Sequence, residues 1–206
     1  MLRIEDIPGW YDDAYQSLHA EIVKSAPPGS TLVELGVFAG KSLLGLGRLA
    51  KQSGKGLRVV GVDTFLGSPE HKIVRDHDGA VQGKDHGGVL VGEAVHNLWA
   101  ADLLDVVTLI AADSVRASHF FPNQSVWSVY IDADHSEHMV LRDILAWQGK
   151  VVTGGWLAGH DYGVYPGVAA AVDRLYPSRM VRGTTWAVRI RHKGGEYVGR
   201  RVGGKV

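Results

Sequence analysis

Apolar residues along this chain fall into two patterns that take turns: short unbroken runs, and stretches at helical spacing. Residues 31–37 (TLVELGV), 57–65 (LRVVGVDTF), 106–112 and 126–131 are continuous runs, as expected of strands covered on both faces. A fifth run starts at Gly154 and ends at His160 and Asp161. Between them lie helical patterns. Residues 7–25 place Tyr15, Leu18, Ile22 and Val23 on one face before Pro27, Pro28 and Gly29 stop the helix. Residues 41–52 carry Leu43, Leu44, Leu46 and Leu49, with Ser42 in the first turn. Residues 89–104 predict a helix, and 137–148 another, with Val140, Leu141, Ile144 and Leu145 inward. Residues 166–175 form a short one that opens on Pro166, a favoured place for proline. Residues 180–191 read as a strand pair turning near Gly183 and Thr184, with Trp186, Val188 and Ile190 alternating.

Strands alternating with helices predict an α/β, doubly wound, mostly parallel sheet with right-handed crossovers. No repeat or linker divides the chain, so one domain is expected over residues 1–206, with 1–28 as an N-terminal helical segment. Two stretches lack periodicity. Residues 66–88 are polar and glycine-rich, a lid-like loop, and 192–206 are basic and glycine-rich, a solvated tail. The histidines of the loop (His71, His77 and His86, among Asp76, Asp78 and Asp85) match no metal-binding spacing.

Five successive strands end in polar groups: Glu34, Asp63, Asp113, Asp132 and the pair His160/Asp161. Parallel strands share one carboxyl edge, where ligands of open α/β sheets collect, so these groups are expected along a single rim.

Composition narrows the classes. Twenty-two basic and twenty-two acidic side chains cancel, so no overall field favours nucleic acid or an anionic membrane. The absence of cysteine excludes disulfides and thiolate metal sites and fits a cytoplasmic location. No apolar run approaches the roughly 20 residues a bilayer requires, and acids at Glu5, Asp6, Asp12 and Asp13 argue against a signal peptide.

The loop after the first strand, Gly36-Val37-Phe38-Ala39-Gly40-Lys41-Ser42, narrows the ligand. A phosphate-binding loop needs four residues between its glycines, and here there are three, two of them bulky. A dinucleotide fingerprint needs a second glycine where Phe38 stands. S-adenosylmethionine, a nucleoside without phosphate, suits the acids better. Its ammonium group, ribose diol and adenine amino group want acceptors at three successive strand ends, and Glu34, Asp63 and Asp113 supply them in order.

The segments VELGVFAGKS, GVDTF, AADS, IDADHSEHMVLRDILAW and GGWLAGHDYGVYPGVAAAV resemble the small class I methyltransferases grouped with cephalosporin-hydroxylase-type and sugar O-methyltransferase-type proteins, over about residues 31–175. The resemblance implies a seven-stranded Rossmann-like methyltransferase sheet with an antiparallel last strand, in agreement with the terminal strand pair. It implies that Glu34, Gly36, Gly40 and Ser42 surround the methionine part, Asp63 the ribose, and Asp113 with Ser114 the adenine, with Phe38 and Asp132 also among the cofactor-binding residues.

Metal-dependent relatives hold Mg²⁺ with an acid after the fourth strand and two polar residues after the fifth. By resemblance these are Asp132, His160 and Asp161. A histidine in that set suits Mn²⁺, Fe²⁺ or Zn²⁺ better than Mg²⁺, or else His160 acts as a base with no metal bound. His135 and His160 compete as general base beside Asp132, whereas His138 is expected to be structural. Trp10, Tyr11 and Trp99 are either substrate-facing aromatics or, as is commoner for such residues, part of core or subunit-interface packing. The reading is O-methylation of a small-molecule hydroxyl (sugar, glycoside or secondary metabolite) by a homodimer or higher homo-oligomer. The alternatives are a metal-independent N-methyltransferase and a catalytically silent nucleoside-binding protein.

Overall fold

The computed structural model of the chain describes residues 2–67, 89–193 and 196–197. Five strands run parallel: β1 (Thr31–Leu35), β2 (Arg58–Asp63), β3 (Val107–Ala111), β4 (Val126–Ile131) and β5 (Val151–Gly159). β6 (Met180–Arg182) and β7 (Thr185–Arg189) complete a seven-stranded sheet of order β3-β2-β1-β4-β5-β7-β6, in which β7 runs antiparallel to both its neighbours. This is the doubly wound, mostly parallel sheet with an antiparallel last strand that the sequence predicts.

Side-chain alternation splits each strand between two cores. Leu32, Tyr130 and Trp156 face a cluster built with α1 (Asp13–Ser25), α2 (Lys41–Gln52) and α3 (Val89–Ala100). Val33, Val129 and Leu157 face the opposite cluster, built with α4 (Ser114–Ser118), α5 (Glu137–Trp147) and α6 (Pro166–Leu175). Both faces are therefore dry, which is why the strands read as continuous apolar runs.

Several boundaries differ from those predicted. The first helix begins at Asp13 rather than near Ile7, because Asp12 caps it by accepting the Tyr15 amide at 2.8 Å. α3 ends at Ala100, four residues early: Asp102 turns left-handed (φ 57°), and the amides of Asp102 and Leu103 close back on Trp99 and Leu98 at 3.0 Å. In α5, Leu145 is 57% exposed and Asp143 takes the inward place, a polar exchange made possible by a hydrogen bond from Ser114. α4 was not foreseen; Asp113 caps it through the Arg116 amide. Apart from Leu66 and Gly67, the expected lid lies outside the described residues. Of the 192–206 stretch, a two-stranded pair, β8 (His192–Lys193) with β9 (Glu196–Tyr197), stands where a solvated tail was expected. Among the described residues, no helix is long and apolar enough to cross a membrane.

The sheet's backbone bonding does not stop where the strands do. Gly36 N–H donates to Val62 O (2.9 Å), Asp132 N–H to Leu35 O (2.8 Å), Ala112 N–H to Asp63 O (2.9 Å) and His160 N–H to Ile131 O (3.0 Å). The residues that follow β1, β3, β4 and β5 are thereby clamped in register. The closest approach is at Gly36 (φ +89°), where an added Cβ would lie 1.8 Å from the Asp132 carbonyl oxygen. Gly36→Ala is expected to destabilise the protein by at least about 2 kcal/mol, read as a lower urea midpoint; an unchanged midpoint would contradict this packing.

Candidate active site

The glycine loop between β1 and α2 is shaped by one side chain. Asp63, at the end of β2, accepts the Val37 amide at 2.7 Å and the Phe38 amide at 3.0 Å on one oxygen, and the Phe65 amide at 2.7 Å on the other. Phe38 itself sits in the left-handed region (φ 51°), costly for an aromatic residue and held there by that bonding. The loop's amides therefore point at a carboxylate of the protein, which would repel a phosphate. From the other side, the buried Asn97 of α3 donates to Ala39 O at 2.9 Å. Helical spacing alone carries no sign of this brace.

Above the loop is a cavity of about 600 Å³. Asp63, Asp113, Asp132, His160 and Asp161 all line it, so four of the five strand ends do meet at one rim. Gly36, Phe38 and Ser42 contribute from the loop, and Ser114 and His135 from the ends of β3 and β4. Glu34 and Gly40 are not among the lining residues. Gly40 (φ +88°) instead forms the left-handed start of α2. Glu34 is fully buried beneath the floor, where Ser42 Oγ donates to its Oε1 at 2.5 Å, while among the described residues Oε2 has no hydrogen-bond partner. Burial pushes the Glu34 carboxyl up to about 8 despite that bond. Glu34, expected beside the methionine part, is joined to the cavity lining through Ser42.

At the β3 end, Arg142 donates to both oxygens of Asp113 at 2.8 Å. Burial works against the charged form of Asp113, but the Arg116 amide and the Arg142 guanidinium outweigh it and hold its carboxyl below the usual range. Ser114 donates to Asp143, another acid lining the cavity, which burial raises to about 6.

The opposite end gathers acids and histidines. Asp161 has a left-handed backbone (φ 61°) immediately after β5, a local strain of the sort stored at functional sites. Its Oδ2 lies 2.9 Å from His135 Nε2 and its Oδ1 3.2 Å from His160 Nδ1. Burial alone would raise the Asp161 carboxyl, yet the two histidines hold it well below its ordinary value. His135 is fixed by parallel stacking on Tyr165, with centroids 3.9 Å apart and planes 7° apart. His160 is engaged at its other nitrogen: Nε2 is 2.8 Å from Thr184 Oγ1, which in turn donates to Asp12 Oδ2 at 3.3 Å. Since the threonine proton goes to Asp12, His160 Nε2 carries its own proton toward Thr184. Burial disfavours the His160 cation, but Asp161, Asp132 and Asp12 around it raise its pKa overall. Burial likewise lifts Asp132 to about 6.

One donor from each of Asp132, His135 and Asp161 lies within 4.8 Å of the others. Among the described residues His135 completes this set, while His160, expected with Asp132 and Asp161, has its Nδ1 3.2 Å from Asp161 Oδ1 and 3.8 Å from Asp132 Oδ1. His138 is exposed and outside the lining. Of the candidate aromatics, Trp10 is 62% exposed and lines the cavity, whereas Trp99 is 66% exposed and does not. Asp12, Tyr165 and Thr184 line the cavity too and were missed. Asp12 and Thr184 had only turn-former signals, and Tyr165 only its place before Pro166.

A parallel sheet closed by an antiparallel β7, with a glycine loop and a rim of acids over its carboxyl edge, defines a class I methyltransferase. The chain belongs to the methyltransferase-domain family, whose model matches residues 33–162, and is an S-adenosylmethionine-dependent enzyme. It is similar in structure to the calicheamicin methyltransferase CalS11 (TM-score 0.61, 16% identity, covering 85% of this chain and 77% of that one). It is also similar to the O-methyltransferase NovP (TM-score 0.62, 19% identity, 85% and 79%). A third likeness is to an S-adenosylmethionine-dependent O-methyltransferase from Thermotoga maritima (TM-score 0.57, 14% identity, 96% and 64%).

Glu34 makes the ligand-free protein's stability depend on pH. Its pKa rises from 4.5 to about 8 on folding, so the folded state holds the proton more tightly than the unfolded one. Stability is therefore greatest below the unfolded value and falls as pH climbs from there to the folded value, by on the order of 4 kcal/mol at about 1.4 kcal/mol per unit. Glu34→Gln keeps an acceptor for Ser42 and is expected to flatten that fall in urea unfolding followed from pH 5 to 8. A variant with the wild-type slope would show that Glu34 is not the group responsible.

Proposed function

We propose that the protein transfers the methyl group of S-adenosylmethionine to a hydroxyl of a small molecule, with the acceptor oxygen delivered to the Asp132, His135 and Asp161 cluster. The observation that carries this reading is the cavity itself: the glycine loop and the acids of β2 and β3 border one end, and the acid–histidine cluster after β4 and β5 borders the other.

At the first end, Asp63 has spent three acceptor sites on backbone amides, and a carboxylate offers about four. One is left for a ribose hydroxyl. Asp113 and Ser114 are assigned to the adenine, with Arg142 fixing the Asp113 carboxylate. Gly36, Phe38 and Ser42 are assigned to the methionine part, and Glu34 acts through Ser42 rather than by touching the ligand.

At the second end, two carboxylates and an imidazole fit a divalent cation that tolerates nitrogen, such as Mn²⁺, better than Mg²⁺. A cation there would lower the pKa of the acceptor hydroxyl. The chain's own residues orient that hydroxyl: His135 is locked by Tyr165, and Asp161 by two histidines. As the hydroxyl proton leaves to the cluster, the oxygen forms a bond to the methyl carbon in line with sulfur. The C–S bond breaks with its electron pair kept by sulfur, giving the methyl ether and S-adenosylhomocysteine. Trp10, Val164 and Tyr165 give the cavity apolar walls beside these groups, suited to a ring with polar substituents. A sugar or glycoside is in keeping with the name of the similar CalS11, a TDP-rhamnose 3'-O-methyltransferase.

Calorimetric titration with S-adenosylmethionine, with and without Mn²⁺, tests the two ends separately. Asp161→Asn is expected to weaken Mn²⁺ binding by at least about ten-fold and to leave the affinity for S-adenosylmethionine close to wild type. Wild-type Mn²⁺ affinity in Asp161→Asn would remove the cation assignment; failure of the wild-type protein to bind S-adenosylmethionine would remove the whole reading.

A further inference from the structure

α1 precedes the residues matched by the family model, yet it reaches the centre of the site. Tyr15 is fully buried, and its hydroxyl donates to Asp132 Oδ2 at 3.0 Å, across 117 residues of sequence. Its ring has nowhere to turn. It stacks on Tyr130 (centroids 4.5 Å, planes 26° apart), meets His19 edge-on at 4.8 Å, and lies 4.9 Å from the His160 ring. The helix carrying it is pinned at its first turn by Asp12, whose Oδ1 accepts the Tyr15 amide and whose Oδ2 accepts from Thr184. A hydroxyl on a ring held from three sides is a rigid donor. It occupies one oxygen of Asp132 and leaves the other, Oδ1, at 3.8 Å from His160 Nδ1.

We propose that Tyr15 is a positioning residue: the N-terminal helix, through this one hydroxyl, sets the rotation of the Asp132 carboxylate within the acid–histidine cluster. The inference rests on the reading of that cluster as the reactive centre. A purely packing role would need the ring alone, and a phenylalanine would fill it equally well. Tyrosine adds only the hydroxyl, which donates to Asp132 and also interacts with the Ser42 side chain.

The test is Tyr15→Phe, which keeps every ring contact, measured in two ways. Mn²⁺ titration followed by electron paramagnetic resonance is expected to show roughly ten-fold weaker binding, the usual scale for an outer hydrogen bond to a ligating group. A crystal structure of the variant is expected to show the Asp132 carboxylate rotated from its wild-type orientation. Ile22→Val serves as the comparison: it loosens the same helix without touching Asp132 and is expected to leave Mn²⁺ binding unchanged. Equal losses in the two variants would overturn the proposal, because helix stability and not the hydroxyl would then be responsible. Unaltered Mn²⁺ binding in Tyr15→Phe would overturn it as well. If the wild-type protein binds no Mn²⁺, the cation reading falls by itself. The Asp132 orientation then decides the matter, an unmoved carboxylate counting against Tyr15 and a rotated one for it.

Discussion

The interaction on which most of this structure depends is the backbone pairing that carries on past the ends of β1, β3, β4 and β5. A strand end is normally where a chain frays. Here Gly36, Ala112, Asp132 and His160 still donate to the neighbouring strand, so the next side chains leave the sheet from fixed backbone. Asp132 and Asp161 carry like charges in a poorly hydrated place, and two histidines beside them offset the repulsion. Such an arrangement is tolerable only where the carrier cannot relax away from it. The close approach at Gly36 shows how little slack remains.

Much of the architecture was legible in the sequence because it is written in period. Continuous apolar runs at β1 to β4 could only be strands covered on both faces, and the alternation with helices fixed their parallel sense. The rim of acids followed from topology alone: Asp63, Asp113, Asp132 and Asp161 needed only the knowledge that parallel strands end on one side. What failed was local. Leu145 looked inward by spacing, but Asp143 lies there because Ser114, far along the chain, satisfies its carboxylate. Nor does spacing show that Glu34, one residue before the end of β1, is turned by strand alternation into the layer of α1 and α2 and bonded to Ser42.

The histidines show the same limit. His135 and His160 have equal claims in the sequence, each beside an acid at the end of a strand. Their roles separate only through partners that no pattern links to them: Tyr165 stacks on His135, and Thr184 with Asp12 holds His160. Residues from the chain's two ends, Asp12 and Tyr15 on one side and Thr184 on the other, converge on the centre. Periodicity could give Tyr15 a place in the core, but not a destination for its hydroxyl.

Asp63 holds the loop beneath the cavity before any ligand binds. Three amides that might have waited for a ligand are already committed, and Phe38 is kept in an unfavourable backbone conformation before anything arrives. This part of the cleft floor is therefore ordered in advance. A nucleoside entering it gives up its own freedom but not that of these amides, and spent cofactor can leave without this loop being rebuilt for the next molecule.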